Sequence, residues 1–87
     1  MEWKKGEVYT FIVGNRDIVG KVVSENEEEI VISYPMTIVP VGPNQIGPVP
    51  LDKIGEAKEV QIFRWAIFGS WPATGQTAAI FDKYAKE

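Results

Sequence analysis

Twelve carboxylates and nine cations, with no histidine and no cysteine, are the chemical equipment of this 87-residue chain. Without Cys or His it can form neither a disulfide nor a Cys/His zinc site. A Ser-His-Asp or Cys-His nucleophile pair cannot be built either, and the commonest general base near neutral pH is missing. Carboxylates such as Asp52 and Asp82 could still move protons, but no spacing brings two of them to a shared site. The sequence therefore predicts a protein that is not an enzyme, with no catalytic residue, no metal and no cofactor. What remains is recognition chemistry, in which cations meet phosphate, carboxylates meet cations and aromatic rings stack.

The charges are unevenly placed. Residues 1–23 carry Lys4, Lys5, Arg16 and Lys21 against Glu2, Glu7 and Asp17. Lys4, Lys5, Arg16 and Lys21, with Trp3 and Tyr9 close in sequence, are the one basic group interleaved with aromatics and the candidate nucleic-acid contact. Glu25, Glu27, Glu28 and Glu29 follow as a short acidic run, which reads first as a solvated turn. An EF-hand calcium loop is excluded, because the alternating ligands and central Gly are absent. No charged residue occurs from Ile30 to Leu51, and residues 52–87 balance to zero. The net charge of −3 argues against a simple basic surface for nucleic acid.

These groups need a scaffold, and the length allows one domain, residues 1–87. A chain this short buries only roughly 60–65% of its unfolded surface. Yet 45% of its residues are hydrophobic and 11% aromatic, more than a small interior holds. The surplus predicts a second burial site, most simply another subunit. No apolar run reaches the length of a membrane span and no secretory h-region precedes the domain, so no membrane partner and a cytoplasmic location are expected.

The periodicity is that of β-structure. Glu7–Gly14, Asp17–Ser24 and Glu29–Val39 read as three strands of an antiparallel meander, with turns at Gly14-Asn15-Arg16-Asp17 and Glu25–Glu28. In the third strand Ile30, Ile32, Tyr34 and Met36 fall on one face at period two. Residues 40–50 (PVGPNQIGPVP) read as a long proline-rich turn. Val49–Ile54 is a short fourth strand, Gly55-Glu56-Ala57 a turn and Glu59–Ile67 a fifth strand. Thr77, Ile80, Phe81 and Tyr84 then recur at helical spacing, which predicts a C-terminal helix over 74–86 after Thr74. The helix is expected across one mouth of the barrel or on a neighbouring subunit. The fold class is mostly β, a small bent five-stranded antiparallel barrel over about residues 7–68 with that helix appended.

In residues 6–39 the chain resembles the Sm-like family. The first motif of that family is a strand, a tight turn and a strand with an internal Gly. Here it is Val8-Tyr9-Thr10-Phe11-Ile12-Val13, Gly14-Asn15-Arg16-Asp17 and Ile18-Val19-Gly20-Lys21-Val22. A bent strand at a barrel corner needs a residue without Cβ, which is the physical reason for Gly20. The second motif, apolar-Arg-Gly-x-x-apolar, is approached by Phe63-Arg64-Trp65-Ala66-Ile67-Phe68, with Trp65 in the place of Gly. A second register ends the fifth strand at Arg64 and puts Gly55 in the corresponding loop. Both registers stay open. The resemblance implies an Sm-like (SH3-like) barrel that closes into a homo-oligomeric ring of about five to seven subunits, the fourth strand of one copy pairing with the fifth of the next. Phe63, Trp65, Phe68 and Trp71 are then expected at the subunit interface.

The resemblance also implies single-stranded RNA near the pore, as in RNA processing or regulation. Aligned on Gly20, the family's loop Asp falls at Asn26, its stacking residue at Glu29 and its base-reading Asn at Ile30. Glu has no π-face and Ile has no amide. Asn26 and Arg64 are the positions left as RNA-site candidates. Four glutamates per copy would put about −24 at one mouth of a six-membered ring, which repels phosphate. The alternative is an oligomeric protein-interaction scaffold that binds no nucleic acid.

Overall fold

Gly14, at φ 64°, and Asn15 turn the chain between β1 (Val8–Val13) and β2 (Arg16–Glu25) in a computed structural model that describes residues 2–52 and 58–86. The β-branched and aromatic residues on either side of this turn favour a pleated ladder, and β1 and β2 pair from Val8↔Lys21 to Val13↔Arg16. After the Glu25–Glu29 turn, β3 (Glu29–Gly42) is the longest strand, with 14 residues. Beyond it come β4 (Gln45–Pro50), β5 (Glu59–Phe63), one turn of 3-10 helix (Arg64–Ala66), β6 (Ile67–Pro72) and α1 (Gly75–Lys86). All strand pairs are antiparallel, in the order β4-β3-β2-β1-β6, with β5 also on β3.

The key to this topology is a break in β3. Its first half, Glu29–Ser33, pairs with β5, and its second half, Met36–Gly42, pairs with β4. Between them Tyr34 takes φ 52°, a left-handed conformation uncommon for a residue with a Cβ. Opposite it the register on β2 steps from Val19↔Met36 to Lys21↔Ser33, so β3 carries an extra residue. The bulge inverts the alternation. Ile30 and Ile32 join one core cluster and Met36 the other, so the single face expected for Ile30, Ile32, Tyr34 and Met36 does not form.

Each face of the sheet therefore carries a buried cluster, made by different means. On the inner face Trp3, Tyr9, Phe11, Ile18, Val22, Ile30, Ile32 and Ile62 make the main core. On the outer face Val19 and Met36 are covered by Phe81 of α1, with Ile80 and Tyr84 beside it. Burying Phe81 is worth about 2–3 kcal/mol. The helix thus lies on the outer face of the protein's own sheet, not over a mouth or on a neighbour. Part of the hydrophobic surplus is absorbed there.

Four sequence expectations are corrected. Residues 40–50 are not a long turn but the tip and second arm of a hairpin, turning at Pro43-Asn44 into β4. Its prolines are tolerated because β4 is an edge strand. The strand expected at Val49–Ile54 is this one, displaced towards the N-terminus; Ile54 and the turn Gly55-Glu56-Ala57 lie outside the described residues. The strand expected at Glu59–Ile67 is cut by the 3-10 turn, and β6 follows it. The described residues make six strands, not five, and the sheet is not closed into a barrel: β4, β5 and β6 each pair on one side.

Candidate functional site

Two turns meet at one end of the sheet. In the β2–β3 turn, the Asn26 side-chain oxygen accepts from the N–H groups of Glu28 (2.8 Å) and Glu29 (2.9 Å), while its own N–H donates to the Glu29 carbonyl at 2.9 Å. This is an Asx-type turn, the geometry for which Asn is favoured. The 3-10 turn then docks on it. The Arg64 N–H donates to the Glu28 carbonyl at 2.9 Å, and Arg64 Nη1 donates to the Asn26 carbonyl at 2.8 Å.

The guanidinium is engaged further. Arg64 Nη1 stands 3.4 Å from Glu25 Oε2. The group lies over the Trp3 ring, 5.1 Å from its centroid. Trp3 is itself held by its indole N–H donating to Ser70 Oγ at 2.9 Å. A partly exposed ion pair contributes little by itself, about 0–1 kcal/mol. The hydrogen bond to a carbonyl and the cation–π contact with Trp3 do more to hold Arg64 in place. Arg64 is therefore a clamp between β2, the N-terminal segment and the 3-10 turn.

The structure brings Asn26 and Arg64 together and sets Arg16 apart from Lys4, Lys5 and Lys21. Lys4 and Lys5 precede Gly6, whose N–H donates to the Val22 carbonyl at 2.8 Å, so they stand at the Lys21 end of the β1–β2 ladder. Arg16 pairs with Val13 at the opposite end. Five residues of strand separate the two ends, about 17 Å. Trp3 and Tyr9, each 7% exposed, belong to the core and present no free ring beside these lysines. The sequence reading missed Trp3 as a core residue because it is flanked by Glu2 and Lys4, with no apolar period around it.

The four aromatic candidates are all at the surface. Trp65 is 80% exposed, Phe68 77%, Phe63 54% and Trp71 47%. Phe63 and Trp65 stack on each other, centroids 5.7 Å apart and planes 15° off parallel. Phe63 points outward because Ile62 on the same strand points into the core. Its partner across the ladder is Glu29.

The free strand edges differ. On β4 the Leu51 N–H donates inward to the Pro35 carbonyl at 3.1 Å, so alternation turns residues 50 and 48 outward. Both are proline, and the outer edge of β4 lacks those donors. On β5, Arg64 and Lys58 bond inward to Glu28 and Tyr34, which turns the N–H groups of Glu59, Gln61 and Phe63 outward. The β5 edge keeps its donors.

Elsewhere, the Tyr84 phenol is raised above its usual pKa, first by burial and then by the Asp52 carboxylate. Among the described residues no group of three or more carboxylates gathers as metal ligands, and no helix is long and apolar enough to cross a membrane. No protein-family model matches the chain, and no curated protein matches it in sequence.

Proposed function

We propose that this chain is a ring-forming, Sm-like assembly module that serves as a protein-interaction scaffold. The carrying observation is the contrast among its edges. The outer edge of β4 is blunted by Pro48 and Pro50, whereas β5 and β6 keep an unpaired side flanked by exposed aromatic rings. Pairing β5 of one copy with β6 of the next is heterologous, and such contacts close into rings when the rotation permits. The resemblance of the first two strands and of Phe63–Phe68 to the Sm-like motifs supports this arrangement. The exposed parts of Phe63, Trp65, Phe68 and Trp71 amount to about 500 Å². A stable interface needs about 800 Å² per partner, so these rings supply a large share of it.

The test is native mass spectrometry of the parent and of Gln61→Pro. The substitution removes an outward donor of β5 and no bond within the sheet. A discrete oligomer of about five to seven copies that falls to monomer in the variant supports the ring. A parent that is monomeric at micromolar concentration overturns it.

A second reading, single-stranded RNA binding, is favoured by one observation: Asn26 and Arg64, the two positions assigned to the RNA site by resemblance, are joined by a hydrogen bond of 2.8 Å. Against it, the Asn26 oxygen is spent on two turn N–H groups and Arg64 is paired with Glu25. Glu27, Glu28 and Glu29 beside them repel phosphate. A U-rich oligonucleotide that binds the parent with salt-sensitive affinity, and fails to bind Arg64→Ala, would establish RNA as the ligand.

A further inference from the structure

We infer that the stacked Phe63–Trp65 pair on the outer face of β5 is the docking site for an extended, arginine- or lysine-bearing segment of a partner protein. The same two rings are counted in the subunit contact proposed above, so a neighbouring copy and the segment compete for them, and the site is open wherever that contact is not made.

The pair has no structural employment inside the described chain. Ile62 faces the core, so Phe63 is directed outward, and Trp65 in the 3-10 turn leans on it with 80% of its surface in water. The stack on Phe63 holds the largely exposed Trp65 ring in one orientation, and together the two rings are an apolar platform. A cation over the face of Trp is attracted by the ring quadrupole, and a guanidinium also stacks on it.

The surroundings select the sign of the ligand. Glu29 is the cross-strand partner of Phe63, and the Glu28 carbonyl is bonded to the Arg64 N–H beside Trp65. Glu27 continues the same exposed turn. The neighbouring cation, Arg64, is turned away onto Trp3 and is offset by Glu25. The rim of the platform is thus net negative, and a polyanion is disfavoured there.

The shape selects an extended ligand. Along β5 from Phe63, a shallow groove of about 640 Å³ is lined on the outer face by Val23, Ser24, Val31 and Gln61, with Glu59 at its far end. The ladder positions Glu29↔Phe63 and Ser33↔Glu59 are four residues apart, about 13 Å, the span of about four extended residues. Alternate side chains of such a segment would reach Trp65, the Val23–Val31 floor and Glu59. Lys21 also stands opposite Ser33, so the preference for a cation is strongest at the Trp65 end.

The probe is a fluorescent octapeptide of alternating arginine and alanine, with its glutamate counterpart as control, followed by anisotropy. The parent should bind the arginine peptide and not the control, with affinity falling as salt rises. Trp65→Ala should weaken binding roughly three- to tenfold, and Trp65→Phe should restore part of it. Trp65 carries no core contact, so these variants keep the fold. Glu28→Gln combined with Glu29→Gln should weaken binding independently. Three results overturn the inference: no binding of the arginine peptide, equal binding of the control, or loss with the glutamate variants alone, which would mean charge without the platform. If Trp65→Ala changes the oligomer in native mass spectra and no peptide binds, the face is a contact between copies. If a U-rich oligonucleotide competes for Trp65 instead, the ligand is nucleic acid.

Discussion

Gly20 lies so close to Ile32 that a Cβ built on it would stand 2.7 Å from Ile32 Cδ1 and 3.0 Å from Ile32 Cβ. The contact is where β2 crosses the bulge at Tyr34, and Ile32 is fully buried there. The close approach lets β3 bend and pass from one core to the other. Glycine is required at this position by space, since its φ is not in the left-handed region.

Gly20→Ala should therefore destabilise by about 1–3 kcal/mol, the usual cost of overpacking a full core. Urea unfolding reads the loss. Ile32→Val introduced in the same chain removes the Cδ1 methyl and should return part of the stability. A single Gly20→Ala variant as stable as the parent would contradict the geometry.

Phe81→Ala tests whether α1 belongs to the fold or to an assembly. Phe81 is fully buried against Val19 and Met36 of its own chain. Its loss should cost about 3–5 kcal/mol in denaturant midpoint terms, with the oligomeric state unchanged at native conditions. A variant of parental stability that changes oligomer size would place the helix on a neighbour.

The clamp at Arg64 predicts unequal replacement by other residues. Arg64→Ala should cost about 1–2 kcal/mol, because the Asn26 carbonyl and Glu25 lose a charged partner and Trp3 is uncovered. Arg64→Lys should recover little, since a compact ammonium cannot lie over Trp3 while donating to Asn26. Full recovery in thermal melts would show that charge alone matters there.

Tyr84 gives a pH dependence. Its pKa is raised in the folded chain by burial and then by Asp52, so the folded state holds the phenol proton more tightly than the unfolded state does. The associated stability is complete below the ordinary tyrosine pKa of 10.0 and is lost as pH rises through the folded value. Tyr84→Phe should flatten the alkaline limb of a stability–pH curve and leave neutral pH nearly unaffected. Because Tyr84 is only partly buried, the effect is small.

The first three strands were legible because each shows a clear β signal bounded by turn residues. The Gly14-Asn15 turn and the C-terminal helical spacing were equally plain. The proline-rich stretch was misread because composition reports turn residues but not edge position: Pro48 and Pro50 are compatible with a strand only where no partner lies outside it. The break at Arg64–Ala66 was invisible because residues 59–67 carry an unbroken β-like pattern. It is produced by bonds from Arg64 to Glu28 and Asn26, 36 and 38 positions away in sequence.

Residue types set the chemistry available to the chain, which is that of carboxylates, cations and aromatic rings, with no histidine or cysteine. The sequence also determined the β class and the need for a glycine at position 20. Tertiary structure alone decided which groups work together. It buried Trp3, set Arg64 on it, parted Arg16 from Lys21 and left Phe63 and Trp65 stacked at the surface. The reason is that strand alternation fixes a side chain's face only between bulges. One extra residue at the Tyr34 bend, next to the close fit of Ile32 on Gly20, reassigns the faces of everything that follows on β3.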